Sequence, residues 1–129
     1  MLHEKELTEL IIRLFYRVYD RLGFGFLESV YREALAYEFT KNGLVYKREA
    51  GSDVWYEIAR VGRFRADFLV EDRIVVEVKA TRLLSDADTK QLLNELRCSD
   101  KEVGLLLHFG PKANFQRMIY TNDRKPARG

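Results

Sequence analysis

A chain of 129 residues has room for one domain around a single closed core. Its 47% hydrophobic and 33% charged content excludes a disordered chain, and a net charge of +2 permits an anionic partner without demanding one. The single cysteine, Cys98, excludes an internal disulfide and a cysteine-based zinc site, and no apolar run is long enough to span a membrane.

The first ten residues, MLHEKELTEL, carry charges where a secretory leader has its apolar stretch, so a reducing cytoplasm is the expected location. Leu7, Leu10, Ile11, Leu14, Val18 and Leu22 recur at helical spacing and predict an amphipathic helix over 5–22. GFG at 23–25 interrupts it. A second helix is expected over 26–42, with Leu27, Val30, Tyr31, Ala34 and Leu35 as its apolar stripe and Gly43 as its stop. From residue 44 the pattern turns to strands: LVYKRE, DVWYEIA, RFRADFLV and RIVVEVKA, with Gly51 and Gly62 read as turns between them. Trp55 and Tyr56 are expected to pack between sheet and helix, with stacking on a base as the other reading. Ser85 is placed to cap a helix that runs to about Cys98, with Asp86 and Asp88 in its first turn. VGLLLHF at 103–109 fits a strand buried on both faces, with His108 a satisfied core histidine. FQRMIYT follows as the last strand. Residues 1–121 are expected to form one domain, and 122–129 a flexible basic tail.

The stretch RADFLVEDRIVVEVKA at 65–80 carries most of the chemistry. Strand side chains alternate between faces, so Ala66, Phe68, Val70, Ile74, Val76, Val78 and Ala80 are expected on one apolar face. A turn centred on residue 72 keeps that parity and pairs Val70 with Ile74 and Asp67 with Glu77, with Lys79 one step further on the same face. The competing two-residue turn would bury carboxylates among the core side chains, a costly register. Like charges side by side destabilise a sheet by up to about 1 kcal/mol. A lysine relieves part of this, and a hard divalent cation such as Mg2+ or Mn2+ relieves more. The plain alternative, a surface ion-pair cluster, stays open on the hairpin alone, although Leu69 and Val75 share its face.

Asp67 followed by Glu-Val-Lys at 77–79 resembles the PD-(D/E)xK nuclease superfamily. GFLESVY at 25–31 is similar to the signature of the GxxExxY family within it, and YREALAYEFTKNGL, QLLNEL and VGLLLHFG extend the resemblance over residues 5–121. The resemblance implies a restriction-endonuclease-like α/β fold: an αβββαβ core, a mixed sheet flanked by helices, and an extra N-terminal helix. It implies that Asp67 and Glu77 bind the metal, with the main-chain carbonyl of Val78 as a third ligand, and that Lys79 assists the water and the scissile phosphate. Glu28 corresponds to an acid beside the site, and Gln91 to a glutamine that orients Lys79 or a phosphate. Ala66 departs from the proline of the superfamily's name, and Glu95 stands where similar chains carry an aromatic. The implied function is Mg2+-dependent hydrolysis of nucleic acid, with DNA favoured. The alternative is a non-catalytic protein of the same fold that binds nucleic acid or a partner protein. A core this small suggests a homodimer or a partner subunit for gripping a duplex. Arg63 and Arg65 share parity with Asp67, along a face where a phosphate backbone could track.

Overall fold

The computed structural model describes residues 4–125. Helices α1 (Glu4–Leu22) and α2 (Glu28–Lys41) come first, then strands β1 (Tyr46–Tyr56), β2 (Ala59–Val70) and β3 (Ile74–Lys79). Helix α3 (Asp86–Cys98), strands β4 (Val103–Phe109) and β5 (Ala113–Ile119) and a short 3-10 turn at Asn122–Arg124 complete the chain. The sheet has five strands in the order β1-β2-β3-β4-β5; β3 and β4 run parallel and every other neighbouring pair is antiparallel. The fold is mixed α/β, as expected, and α2-β1-β2-β3-α3-β4 is the αβββαβ core with α1 ahead of it and β5 behind it.

Local chemistry explains the boundaries. Both long ends of α1 suit its dipole, with Glu4 and Glu6 in the first turn and Arg21 in the last. Gly25, at φ +119, adopts a backbone conformation that side chains disfavour and lets the chain reverse into α2. Ser85 caps α3 in a reciprocal capping box with Asp88.

Between β2 and β3 the register is the predicted one: Val70 faces Ile74, Leu69 faces Val75 and Phe68 faces Val76. Glu71 and Asp72, both at positive φ, make the turn. The strands before it differ from expectation. Gly51 and Gly62 are not turns but lie inside β1 and β2, and the reversal falls at Glu57 and Ile58. A glycine within a strand often marks an irregularity; Gly62 lies opposite Val54, beside a register shift between Val54 and Trp55. The outcome is one long hairpin arm in place of two short strand pairs. Trp55 and Tyr56 sit near its tip, exposed, and do not pack under a helix.

Helices cover both faces. Against α1 and α2 lies the larger core, with Phe15, Tyr31, Phe39, Phe68, Val76, Val78, Leu105, Leu107 and Phe109. Against α3 lies a smaller one: Ala66, Leu69, Val75, Leu92, Leu96 and Leu106. Ala66 therefore leaves the even-numbered face predicted for it. Glu49, between the pairs Arg48–Phe68 and Ala50–Ala66, has φ +52 and turns the ribbon at this point, so parity does not run unbroken through Asp67. The stripe of α2 is also shifted: Tyr31, Leu35, Ala36 and Phe39 are buried, whereas Leu27 is 76% exposed at the cap position and Val30 is on the rim.

Of the segment expected to fray, residues 122–125 dock on the loop after α3, with Lys125 Nζ donating to the carbonyls of Ser99 and Lys101 at 2.9 and 2.7 Å. His3 and residues 126–129 lie outside the described residues.

Candidate active site

Strand β3 is central in the sheet and buried along nearly its whole length, so its last residues are held rigidly. The β2–β3 ladder ends at the Phe68–Val76 pair. Beyond it, the Asp67 side chain takes the place of a main-chain partner: Oδ2 accepts the Val78 amide at 2.7 Å. The two strands part here, and the fork holds Asp67 and Glu77.

Glu77 is 4% exposed, and its Oε2 has no hydrogen-bond partner among the described residues. Burial, then the charge of Asp67 and a hydrogen bond shared with it, push the Glu77 carboxyl from 4.5 up to about 9, with Lys79 opposing and Glu28 adding slightly. At neutral pH without metal, Glu77 thus keeps a proton that it donates to Asp67. Asp67 and Glu77 would hold a divalent cation, whose charge would displace that proton and offset the repulsion between the two acids. The donor set fits such an ion. Among the described residues no group of three or more His, Cys, Asp or Glu side chains is placed to hold a metal ion by itself. Two carboxylates would leave the remaining positions to main-chain oxygen, water and phosphate, a pattern typical of Mg2+.

Lys79 lies on the α3 side. Its Nζ donates to Gln91 Oε1 at 3.3 Å and lies 3.8 Å from Asp88 Oδ1. Helix α3 therefore anchors the ammonium through residues one turn apart. Glu28 opens α2 and reaches the end of β3, where its Oε1 accepts the Ala80 amide at 3.3 Å. Its Oε2 accepts from Arg32 Nη1 at 2.7 Å, and the same nitrogen is 3.8 Å from Asp67 Oδ1. The structure thus brings Asp67, Glu77, Lys79, Glu28 and Gln91 to one end of β3. Of Val78, the amide is engaged with Asp67.

Arg32 and Asp88 were not anticipated as site residues. Each was discoverable by helical spacing alone, Arg32 as the i+4 neighbour of Glu28 and Asp88 as the i−3 neighbour of Gln91. Tyr31 does not reach the acids. Its hydroxyl donates to the Gly23 carbonyl and accepts the Phe26 amide at 3.2 Å, and its ring stacks on Phe109 with centroids 4.1 Å apart. It clasps the α1–α2 loop and so fixes where α2 begins. Tyr19 has a parallel task, donating to the carbonyls of Gly110 and Pro111. His108 is buried opposite Lys79 on β4; its Nε2 donates to the Thr81 carbonyl at 2.6 Å and ties down the chain just after the site. Arg63 and Arg65 are exposed on the arm, Arg63 paired with Asp53.

A family model described as the PD-(D/E)XK nuclease superfamily matches residues 5–118. No curated protein and no solved structure matches the chain. No helix among the described residues is long and apolar enough to cross a membrane.

Proposed function

Because the chain belongs to the PD-(D/E)XK nuclease superfamily, we propose that it is a Mg2+- or Mn2+-dependent nuclease that hydrolyses phosphodiester bonds of nucleic acid, DNA foremost. The observation that carries this reading is the fork itself. Two carboxylates share a hydrogen bond at the parting of the strands, one of them buried with an oxygen that lacks a partner among the described residues, and an ammonium stands beside them.

In this reading Asp67, Glu77 and the Val78 carbonyl hold the cation. When bound, it supplies positive charge to the scissile phosphate and acidifies a water. Lys79, tethered by Gln91, orients that water and balances charge on the phosphate oxygens. Glu28 holds the Ala80 amide and Arg32, keeping α2 docked at the fork and adding negative charge to it. Gly25, Glu28 and Tyr31 each have a task in that docking, which supports placement in the GxxExxY family. On the hairpin arm, exposed Trp55 and Tyr56 offer stacking planes near Arg60, Arg63 and Arg65, a combination that suits a nucleic-acid strand. A second copy or partner subunit would extend this grip. The lone Cys98 suits a reducing cytoplasm.

The test is incubation of purified protein with single- and double-stranded DNA and RNA in Mg2+, Mn2+ or EDTA, beside Glu77→Ala and Lys79→Ala. Cleavage that needs metal and both side chains is expected. Undiminished nucleic-acid binding with no cleavage in any metal would favour the non-catalytic reading instead.

A further inference from the structure

A second opening lies on the α3 face, beside the fork but separate from it. It holds about 340 Å3 and is lined by Ser52, Leu69, Val75, Glu95, Cys98 and Lys101, among others. Glu95 is 3% exposed. Its Oε1 accepts the Ser52 hydroxyl at 3.3 Å, and its Oε2 has no partner among the described residues. Lys101 does not neutralise it, being held by Asp72 and Asp100 at 3.2 and 3.1 Å. A buried carboxylate left in this condition is costly. Burial raises its carboxyl to about 7, against the Ser52 hydrogen bond, so the group ionises at mildly alkaline pH.

The walls and the acid together define what would fit. Leu69 and Val75 offer flat apolar contact, and the carboxylate asks for two adjacent N–H donors. Among the nucleobases, guanine presents that pair, N1–H beside N2–H, on its pairing edge. Adenine and cytosine each place an acceptor there, and uracil flanks its single N–H with carbonyls. The location is also suitable. Glu95 follows Gln91 by one helical turn, about 6 Å. Leu69 and Val75 are each two residues from Asp67 and Glu77, about 7 Å along their strands.

We propose that this cavity is a nucleobase pocket that takes guanine from a nucleotide adjoining the scissile phosphate, with Glu95 accepting N1–H and N2–H and the cross-strand neighbours Leu69 and Val75 side by side against one face of the ring. The assignment rests on the nuclease reading of the neighbouring fork, and its test reads binding, not cleavage.

Titration calorimetry with GMP, AMP, CMP and UMP, at pH 8 in EDTA, measures it directly. GMP is expected to bind at least about tenfold tighter than the other three. Glu95→Gln, which turns an N–H toward the donor edge, is expected to remove that preference. Ser52→Ala, a gentler change, is expected to weaken it while the protein stays folded by circular dichroism. Asp67→Ala is expected to leave it intact. Equal affinity for all four nucleotides overturns the pocket, as does loss of the preference in Asp67→Ala. A guanidinium offers the same pair of donors, so agmatine displacing GMP at equal concentration would also overturn it. Metal-dependent cleavage without guanine preference would sink the pocket and spare the nuclease, whereas guanine binding without cleavage would do the reverse.

Discussion

The two faces of the sheet are built for different ends. On the α1/α2 side, Phe15 meets Phe109 and Phe39 meets Phe68 edge-on, and Tyr31 stacks on Phe109. Its buried acid, Glu38, also keeps one oxygen without a partner among the described residues, but it sits at the border of the core, with its other oxygen 2.9 Å from Arg17. On the α3 side the apolar cluster is small and is interrupted by Glu77 and Glu95, each buried with one unpartnered oxygen. Such groups weaken a fold wherever they stand. They can persist here because the other face supplies the cohesion, each fully buried large side chain contributing about 1.5–3 kcal/mol. One face stabilises the sheet that holds the other face's chemistry in place.

If that division holds, substitutions on the two faces should separate activity from stability. The largest effect belongs to the fork. Glu77→Gln and Lys79→Ala are each expected to lower the cleavage rate by about 10³-fold or more. Yet Glu77→Gln should leave the metal-free protein as stable as before, or more so, because a neutral amide stands where a protonated acid stood. The mirror experiment is Phe68→Ala, next to the fork but on the other face. It is expected to cost about 3–5 kcal/mol in urea unfolding while sparing the turnover of the folded fraction. An outcome in which Glu77→Gln unfolds the protein and Phe68→Ala abolishes turnover would undo the comparison.

A smaller effect is expected where the faces communicate. A Cβ at Gly110 would lie 2.5 Å from the His108 ring, and that ring is held by the Thr81 carbonyl. Gly110→Ala should therefore cost about 1–3 kcal/mol. Cleavage should fall less than tenfold, since the disturbance falls on Thr81, two residues past Lys79, and not on the acids of the fork. Urea unfolding and a single-turnover assay on the same preparation measure both.

Much of this division could be read from the residues, and its gaps have physical reasons. Parity alone was enough for the Val70–Ile74 register, since the alternative buries acids on the apolar face, but Asp67 and Glu77 meet through their side chains where the strands part and not as the expected cross-strand pair. Parity failed at Ala66 because it assumes an unbroken pleat, and Glu49 at positive φ breaks it. Gly51 and Gly62 were mistaken for turns because a glycine signals freedom without saying whether a turn or an irregular strand uses it. The real reversal, at Glu57 and Ile58, has neither glycine nor proline to announce it. Trp55 and Tyr56 followed the rule that aromatics are buried, a rule that fails on an arm with no helix above it. Arg32 and Asp88 look like ordinary helical charges until the folded chain shows what lies within reach.

One further measurement tells the two buried acids apart. Each holds its proton more tightly in the folded chain than in the unfolded one, so the folded state binds the extra proton between the two pKa values. Stability must then fall as pH rises through that interval. For Glu95 the interval runs from 4.5 to about 7, and for Glu77 from 4.5 to about 9. The metal-free thermal midpoint should decline across both intervals. Glu95→Gln should roughly halve the slope below pH 7, where both acids contribute, and leave the slope between 7 and 9. Glu77→Gln should remove that upper slope. Saturating Mg2+ should do to the upper slope what Glu77→Gln does, because a cation at the fork favours the ionised acid, and it should leave the Glu95 part untouched. An upper slope that survives both the substitution and the metal would mean that the ion does not sit on Glu77.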